Sequence, residues 1–284
     1  MRKRSSGYIL IAPLVLGCLV FYFVPFLLVL RFSFSAGRGR SIRWVGLENY
    51  RHLMGNDSFV LAFGNSMKFF AVGLPLIMVL AYLIALLMQK QADRHKLLKS
   101  VFLFPYIMPV AGTVLLVDLL FSEAGLLNRL MDFLGVPASH WLSGPSAFWV
   151  TIGLYLWKNV GYAVILLLAG LITIPSDQYE SADLDGAGSW QKFFFITTPQ
   201  MWYSVFFALV FSVINGFKCF REIFLIGGQE PGDEIYMLQH FINNSFESLN
   251  YANLSVSSIL LLTIILIFFG FFYGFVNRKE AYLE

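Results

Sequence analysis

The sequence predicts an all-α, polytopic membrane protein with six transmembrane helices and a helical loop between the fourth and fifth. Three observations predict it. Of 284 residues, 58% are hydrophobic and only 13% charged, where soluble domains are nearer half apolar and a quarter charged; the mean hydropathy is +0.70. Six apolar runs are each long enough to cross a hydrocarbon core about 30 Å thick, which takes about 20 helical residues. The runs are continuous rather than alternating, and that pattern favours helices over barrel strands.

The first run, 8–30, follows Met1-Arg2-Lys3-Arg4, which also resembles the start of a signal peptide. Its apolar part exceeds the roughly 7–15 residues of a signal core, so it reads as a retained span, with a cleaved signal as the alternative. The other runs are 69–88, 101–121, 148–172, 201–220 and 254–276. Between the third and fourth, Leu126, Leu127, Leu130, Met131 and Leu134 form an amphipathic pattern ended by Gly135-Val136-Pro137, which predicts a short surface helix. Before the last span, Gly227-Gly228-Gln229-Glu230-Pro231-Gly232 predicts a turn, and Ile235, Met237, Leu238, Phe241 and Ile242 predict a helix after it. No internal repeat or low-complexity linker divides the chain, so 1–284 reads as one domain.

Lys and Arg placement sets the expected orientation. With the N-terminus inside, Arg2, Lys3, Arg4, Lys90, Arg94, Lys96, Lys99, Lys192, Arg278 and Lys279 fall on the cytoplasmic side, ten against eight outside. The tight clusters at the N-terminus and after span two carry the assignment, and both termini are expected to be cytoplasmic. The net charge of +3 is scattered and does not suggest nucleic acid. Cys18 and Cys219 both sit in apolar runs without metal-ligand spacing and read as buried small side chains. His52, His95, His140 and His240 are dispersed and likewise show no metal spacing.

The stretch Pro175 to Pro199 stands apart. It lies between two very apolar runs yet holds four carboxylates, Asp177, Glu180, Asp183 and Asp185. Ser176 can cap a new helix, and Asp177 and Glu180 in its first turn suit the helix dipole. Tyr179, Ala182 and Gly186 share a face that is small apart from the tyrosine, and Gly186 and Gly188 suit a reversal. Trp190, Phe193, Phe194 and Thr197 resume helical spacing up to Pro199, which opens or kinks the fifth span. These features alone fit an ordinary capped helix on the membrane surface as well as a docking surface.

The order Glu180-Ser181-Ala182, then Asp185-Gly186-Ala187, then Phe193, Ile196 and Pro199 resembles the signature loop of the permeases of binding-protein-dependent ABC importers. Trp157-Lys158-Asn159-Val160-Gly161, Leu168-Ala169-Gly170-Leu171 and Gly46-Leu47-Glu48-Asn49-Tyr50, with Asn65-Ser66, Pro105 and Pro109, resemble the sugar-type branch, which includes maltose, glycerol-phosphate and oligosaccharide permeases. Ser181, Thr198 and Tyr203 depart from the usual pattern. The resemblance implies a coupling helix in which Glu180, Ala182, Asp183, Asp185, Gly186 and Ala187 contact a separate ATPase. It implies as partners a second permease, two ATPase subunits that bind ATP and Mg, and an external solute-binding protein, in a bacterial or archaeal cytoplasmic membrane. The chain has no Gly-x-x-x-x-Gly-Lys-Ser/Thr phosphate loop, so it is expected to carry no cofactor and to be a path, not an enzyme.

Polar groups inside spans are costly and default to functional candidates. Lys158 and Asn159 in span four, and Ser212, Asn215 and Lys218 sharing a face of span five, are the candidate substrate path; helix–helix hydrogen bonding is the alternative. Arg221 and Glu222 read either as part of this group or as an interfacial ion pair, and Lys218 and Arg221 alternatively snorkel to the outer surface and meet the binding protein. Asp118 reads as a residue near the interface. A gradient-driven carrier would be expected to show repeated halves and central carboxylates, and a membrane enzyme clustered His, Asp or Glu; neither pattern is evident. A non-sugar solute such as a polyol phosphate stays open as cargo.

Overall fold

A computed structural model describes residues 3–37, 42–89 and 96–280. Arg2, Arg38, Arg40, Lys90 and Arg94, used in the orientation argument, lie outside them, as does His95. The described residues are almost wholly helical. In order they form α1 (Lys3–Cys18), a π turn (Leu19–Phe23), α2 (Val24–Ser33), short strands β1 (Ser35–Ala36) and β2 (Arg43–Trp44), α3 (Glu48–Met54), α4 (Asp57–Gln89), α5 (Lys96–Ile107), α6 (Val110–Phe121) and α7 (Leu126–Phe133). There follow α8 (Gly144–Ile172), α9 (Ser176–Leu184), α10 (Ser189–Lys192), a π turn (Phe193–Thr197), α11 (Thr198–Gln200), α12 (Trp202–Lys218) and α13 (Phe220–Gly227). A 3-10 turn (Asp233–Ile235), α14 (Leu238–Glu247) and α15 (Tyr251–Glu280) complete the order. Among the described residues, six helical stretches are long and apolar enough to cross a membrane.

Two compact units divide the chain. The unit formed by 1–60 and 241–266 contains the first apolar stretch, Leu10–Ser33, none of which is buried in its most apolar window. Cys18 is therefore exposed, contrary to the expectation of a buried thiol: the helix that carries it packs no side chain there against its own chain. Only the end of this helix is held. Asn49 donates from Nδ2 to the carbonyls of Ser33 (3.0 Å) and Ser35 (2.9 Å), and Tyr50 bonds the Ser33 hydroxyl at 3.0 Å. Carbonyls at a helix C-terminus lack intrahelical donors; Asn49 supplies one to Ser33. Antiparallel β1 and β2 and stacking of Phe34 on Trp44 at 5.2 Å close the same turn.

The unit formed by 61–240 and 267–284 holds the main core. Phe69, Ile77, Tyr155, Leu167, Leu171 and Met201 are fully or almost fully buried within it. Two glycines of α8 permit its close packing. A Cβ at Gly161 would lie 1.9 Å from the Phe102 carbonyl oxygen of α5, and one at Gly170 would lie 2.0 Å from Ser204 Oγ of α12. Small residues let membrane helices approach where dispersion is the chief attraction. The connection into α14 is anchored by Asn65, whose Nδ2 donates to the carbonyls of Asp233 and Tyr236, and by Ser66, whose Oγ accepts the Leu238 N–H at 2.8 Å.

Several sequence boundaries shift for identifiable reasons. The second helix starts at Asp57, not 69, because Asn56 Oδ1 accepts the Phe59 N–H (2.9 Å) as an N-cap, and Phe59, Ala62 and Ser66 already bury one face. The third run is interrupted at Met108-Pro109: Pro109 is extended (φ −58°, ψ 147°) and opens α6 rather than continuing α5. The expected helix at 126–133 appears as α7, closed by Gly135 at φ +71°, but the third stretch apolar enough to cross a membrane runs Val110–Phe133 and takes in α7 instead of the expected 101–121. Asn128 is buried beneath it. Its Nδ2 donates to three carbonyls, among them Ser139 at 3.0 Å, and its Oδ1 accepts from Ser139 N–H and Trp141 Nε1.

His240, in α14, is fully buried, accepts the Met237 N–H at Nδ1 (3.1 Å) and has no partner for Nε2 among the described residues. Burial pushes its pKa down from the usual 6.5 to about 4. The folded chain keeps the ring neutral while the unfolded chain takes up a proton below about pH 6.5. The stability His240 contributes is complete above pH 6.5, is lost as the pH falls towards 4, and changes no further below that. His240→Phe is expected to flatten this fall in thermal unfolding of the detergent-solubilised protein; an unaltered fall would contradict it. In the same assay Gly161→Ala, which must displace a backbone carbonyl, is expected to cost at least about 2 kcal/mol. Gly153→Ala on the same helix, with nothing within 4 Å of the new methyl, is expected to be neutral or stabilising.

Candidate functional site

Four of the five expected path residues surround one cavity of about 260 Å³. Lys158 and Asn159 come from α8, Asn215 and Lys218 from α12, and Arg221 and Glu222 from α13. The fourth wall is the interruption between α5 and α6, which contributes Tyr106, Met108, Pro109 and Val110. Ser212, the fifth, is buried instead beside Tyr155, whose hydroxyl donates to its carbonyl at 2.9 Å. Asn159 Nδ2 donates back to the Tyr155 carbonyl, also at 2.9 Å, so the tyrosine ties the cavity wall to the core.

Glu222 pairs with Lys158 across the cavity, not with its neighbour Arg221 as an interfacial pair would. The lysine side chain is 13% exposed and the glutamate 3%. Either charge alone at this depth would be expensive, and each makes the other tolerable. Glu222 Oε2 is buried with no hydrogen-bond partner among the described residues. Lys218 and Arg221 are exposed, and no ion pair involves them among the described residues. Beside the cavity Tyr106 stacks on Tyr162 (centroids 4.7 Å, 16° between planes), and Tyr162 meets Phe211 edge-on at 5.5 Å. Asp118 is exposed on α6 and does not line the cavity.

The acidic loop forms the second feature. α9 ends in a Schellman turn: the Ala187 N–H reaches the Ala182 carbonyl at 2.9 Å, the Gly186 N–H reaches Asp183 at 3.1 Å, and Gly186 has φ +74°. Ser176 does not cap the helix. Pro175 takes that position, and the serine hydroxyl donates to Asp177 Oδ1 at 3.3 Å. Tyr179 faces the body, sharing a hydrogen bond of 2.9 Å with Thr197 and packing on the core, so the face expected to be small and outward is partly an anchor. Lys192 pairs with Asp183. Glu180, Asp183, Asp185 and Gly186 are exposed, Ala182 and Ala187 half-buried, and Leu184 is 91% exposed.

The π turn at Phe193–Thr197 runs straight into α11, which holds Pro199 with no N–H to give, and the helical run breaks at Met201 before α12. Thr197 and Thr198 hydroxyls bond the Lys192 and Phe193 carbonyls, at 3.3 and 2.8 Å. The entry to α12 is thus a shaped bend, not a frayed end.

Comparison with known proteins places this arrangement. Residues 63–281 match the family model described as binding-protein-dependent transport system inner membrane component. A probable ABC transporter permease protein, YesP of Bacillus subtilis, is 30% identical over 84% of this chain and 80% of its own length. The trehalose/maltose transport system permease protein MalF of Thermococcus litoralis is 29% identical over 94% of this chain and 92% of its own. A chain from the crystal structure of a bacterial ABC transporter involved in the import of the acidic polysaccharide alginate has the same fold, with a TM-score of 0.83 at 20% identity, covering 98% of this chain and 96% of that one. The chain belongs to the family of binding-protein-dependent transport system inner membrane components.

Proposed function

We propose that this chain is one permease of an ATP-driven importer for a di- or oligosaccharide and works as a single transmembrane domain. Relatives named for trehalose/maltose and lactose transport support the cargo class. The cavity around Lys158, Asn159, Asn215 and Lys218 is part of the path. Its amides and charges suit hydroxyl-rich cargo, and its volume is below the roughly 300–1,000 Å³ of closed ligand sites, so a chain of sugars would pass it in sections. An external binding protein delivers the sugar, a second permease forms the other half of the path, and two ATPase subunits bind ATP and Mg. Both termini and α9 face the cytoplasm.

The observation that carries the coupling role is the form of α9. It is fixed to the body by Tyr179 and to α10 by the Asp183–Lys192 pair, yet it presents Glu180, Asp185 and a leucine that is 91% exposed. A rigid, anchored helix with an outward leucine suits docking into a cleft of an ATPase, and closure of the ATPases on ATP would then move the spans that flank it.

Gly186→Trp forces a side chain into a left-handed conformation costing about 1–2 kcal/mol at the point of contact. The ATPase is expected to co-purify in part, and ATP hydrolysis to persist, while uptake is largely lost because a bulky side chain stands in the docking surface. Normal uptake by this variant would overturn the role of α9.

A further inference from the structure

The charge balance of the cavity goes beyond neutral sugar. Three cations, Lys158, Lys218 and Arg221, line it against a single carboxylate, Glu222. Glu222 is committed to Lys158, which leaves Lys218 and Arg221 without a carboxylate among the described residues. The α6 helix, 12 residues long, opens in the same wall with no side-chain cap, and Val110, its first residue, lines the cavity. The positive end of a helix dipole therefore adds to the two free cations. A neutral oligosaccharide has no charge to set against this surplus. For an anion it is a binding term. The stacked pair Tyr106–Tyr162, whose Tyr106 lines the cavity, adds a flat apolar surface of the kind a pyranose ring covers.

We infer that the preferred cargo is an acidic oligosaccharide, one whose sugar rings bear carboxylate or a comparable anionic group. A ring would lie against Tyr106 while its anion meets Lys218 and Arg221. The Lys158–Glu222 pair has no net charge to add and serves to hold the wall. The inference rests on the reading that this cavity lies on the transport path.

The test puts one thiol in the wall: Met108→Cys in a chain carrying Cys18→Ser and Cys219→Ala, assembled with its partners in proteoliposomes. Val110→Cys repeats it from a second wall position, so the result does not hang on one variant folding. Rates of modification by an anionic (sulfonatoethyl) and a cationic (trimethylammonioethyl) methanethiosulfonate are each normalised to the rate with a free thiol. The anionic reagent is expected to be favoured by about tenfold or more, and Lys218→Gln with Arg221→Gln to bring the ratio towards one. Millimolar digalacturonate is expected to slow labelling, and neutral galactobiose to leave it unchanged. Parity or a cationic preference overturns the inference, as does equal protection by both sugars or by neither. Labelling that ATP with Mg leaves unchanged overturns the importer reading, whatever the charge ratio. Absence of labelling from both positions overturns both.

Discussion

The ion pair between Lys158 and Glu222 is the constraint on which the functional half of the molecule depends. It joins α8 to α13 through two charges that neither helix could hold alone at that depth. Around it the cavity acquires its walls: Asn159 bonded to the Tyr155 carbonyl, Tyr155 bonded to the Ser212 carbonyl, and the broken segment at Met108-Pro109 closing the fourth side. Replacing the pair by apolar groups could be neutral for folding. Its persistence is better understood as a way to keep a polar wall in place among greasy helices than as a source of net stability.

The pair works only because the helices behind it come close. Gly161 and Gly170 put α8 against backbone and side-chain atoms of its neighbours at distances no Cβ allows. Between them lie Val164, Leu167 and Leu168, all buried. Close packing thus fixes α8 on one side of the membrane-spanning segment while the polar wall forms higher along the same helix. At the other end of α8, α9 is tied by Tyr179 to the π turn that leads into α12. Movement of α9 would therefore be transmitted to α8 and α12, two of the helices that line the cavity.

Much of this was legible in the sequence. Hydropathy located the six spans because a span must be predominantly apolar, though the break at Pro109 moves the third from 101–121 to Val110–Phe133. Gly186 was legible as a reversal because a left-handed residue after a short helix favours glycine, and Asn49-Tyr50 stood out as a motif, though its role as a clamp on the first span needed coordinates. Lys158, Asn159, Asn215 and Lys218 were legible through the cost of polar groups in lipid. What escaped was long-range. Nothing local says that Glu222 pairs with Lys158 and not Arg221, that Ser212 turns to the core, or that Tyr106 and Met108 complete a cavity wall. The cap position at α9 fell on Pro175 because the extended backbone (φ −62°, ψ 135°) is at the proline and Ser176 is already the first helical residue, one step too far along for its hydroxyl to cap. Cys18 looked buried because an apolar run does not reveal whether its own chain covers it.

The most direct measurement is a double-mutant cycle on Lys158 and Glu222, read as unfolding free energy in detergent. Lys158→Met and Glu222→Met alone each strand a buried charge and should cost about 3–5 kcal/mol. The double variant strands none and should recover most of that loss. A double variant that costs the sum of the two singles would contradict a pair that holds the cavity wall.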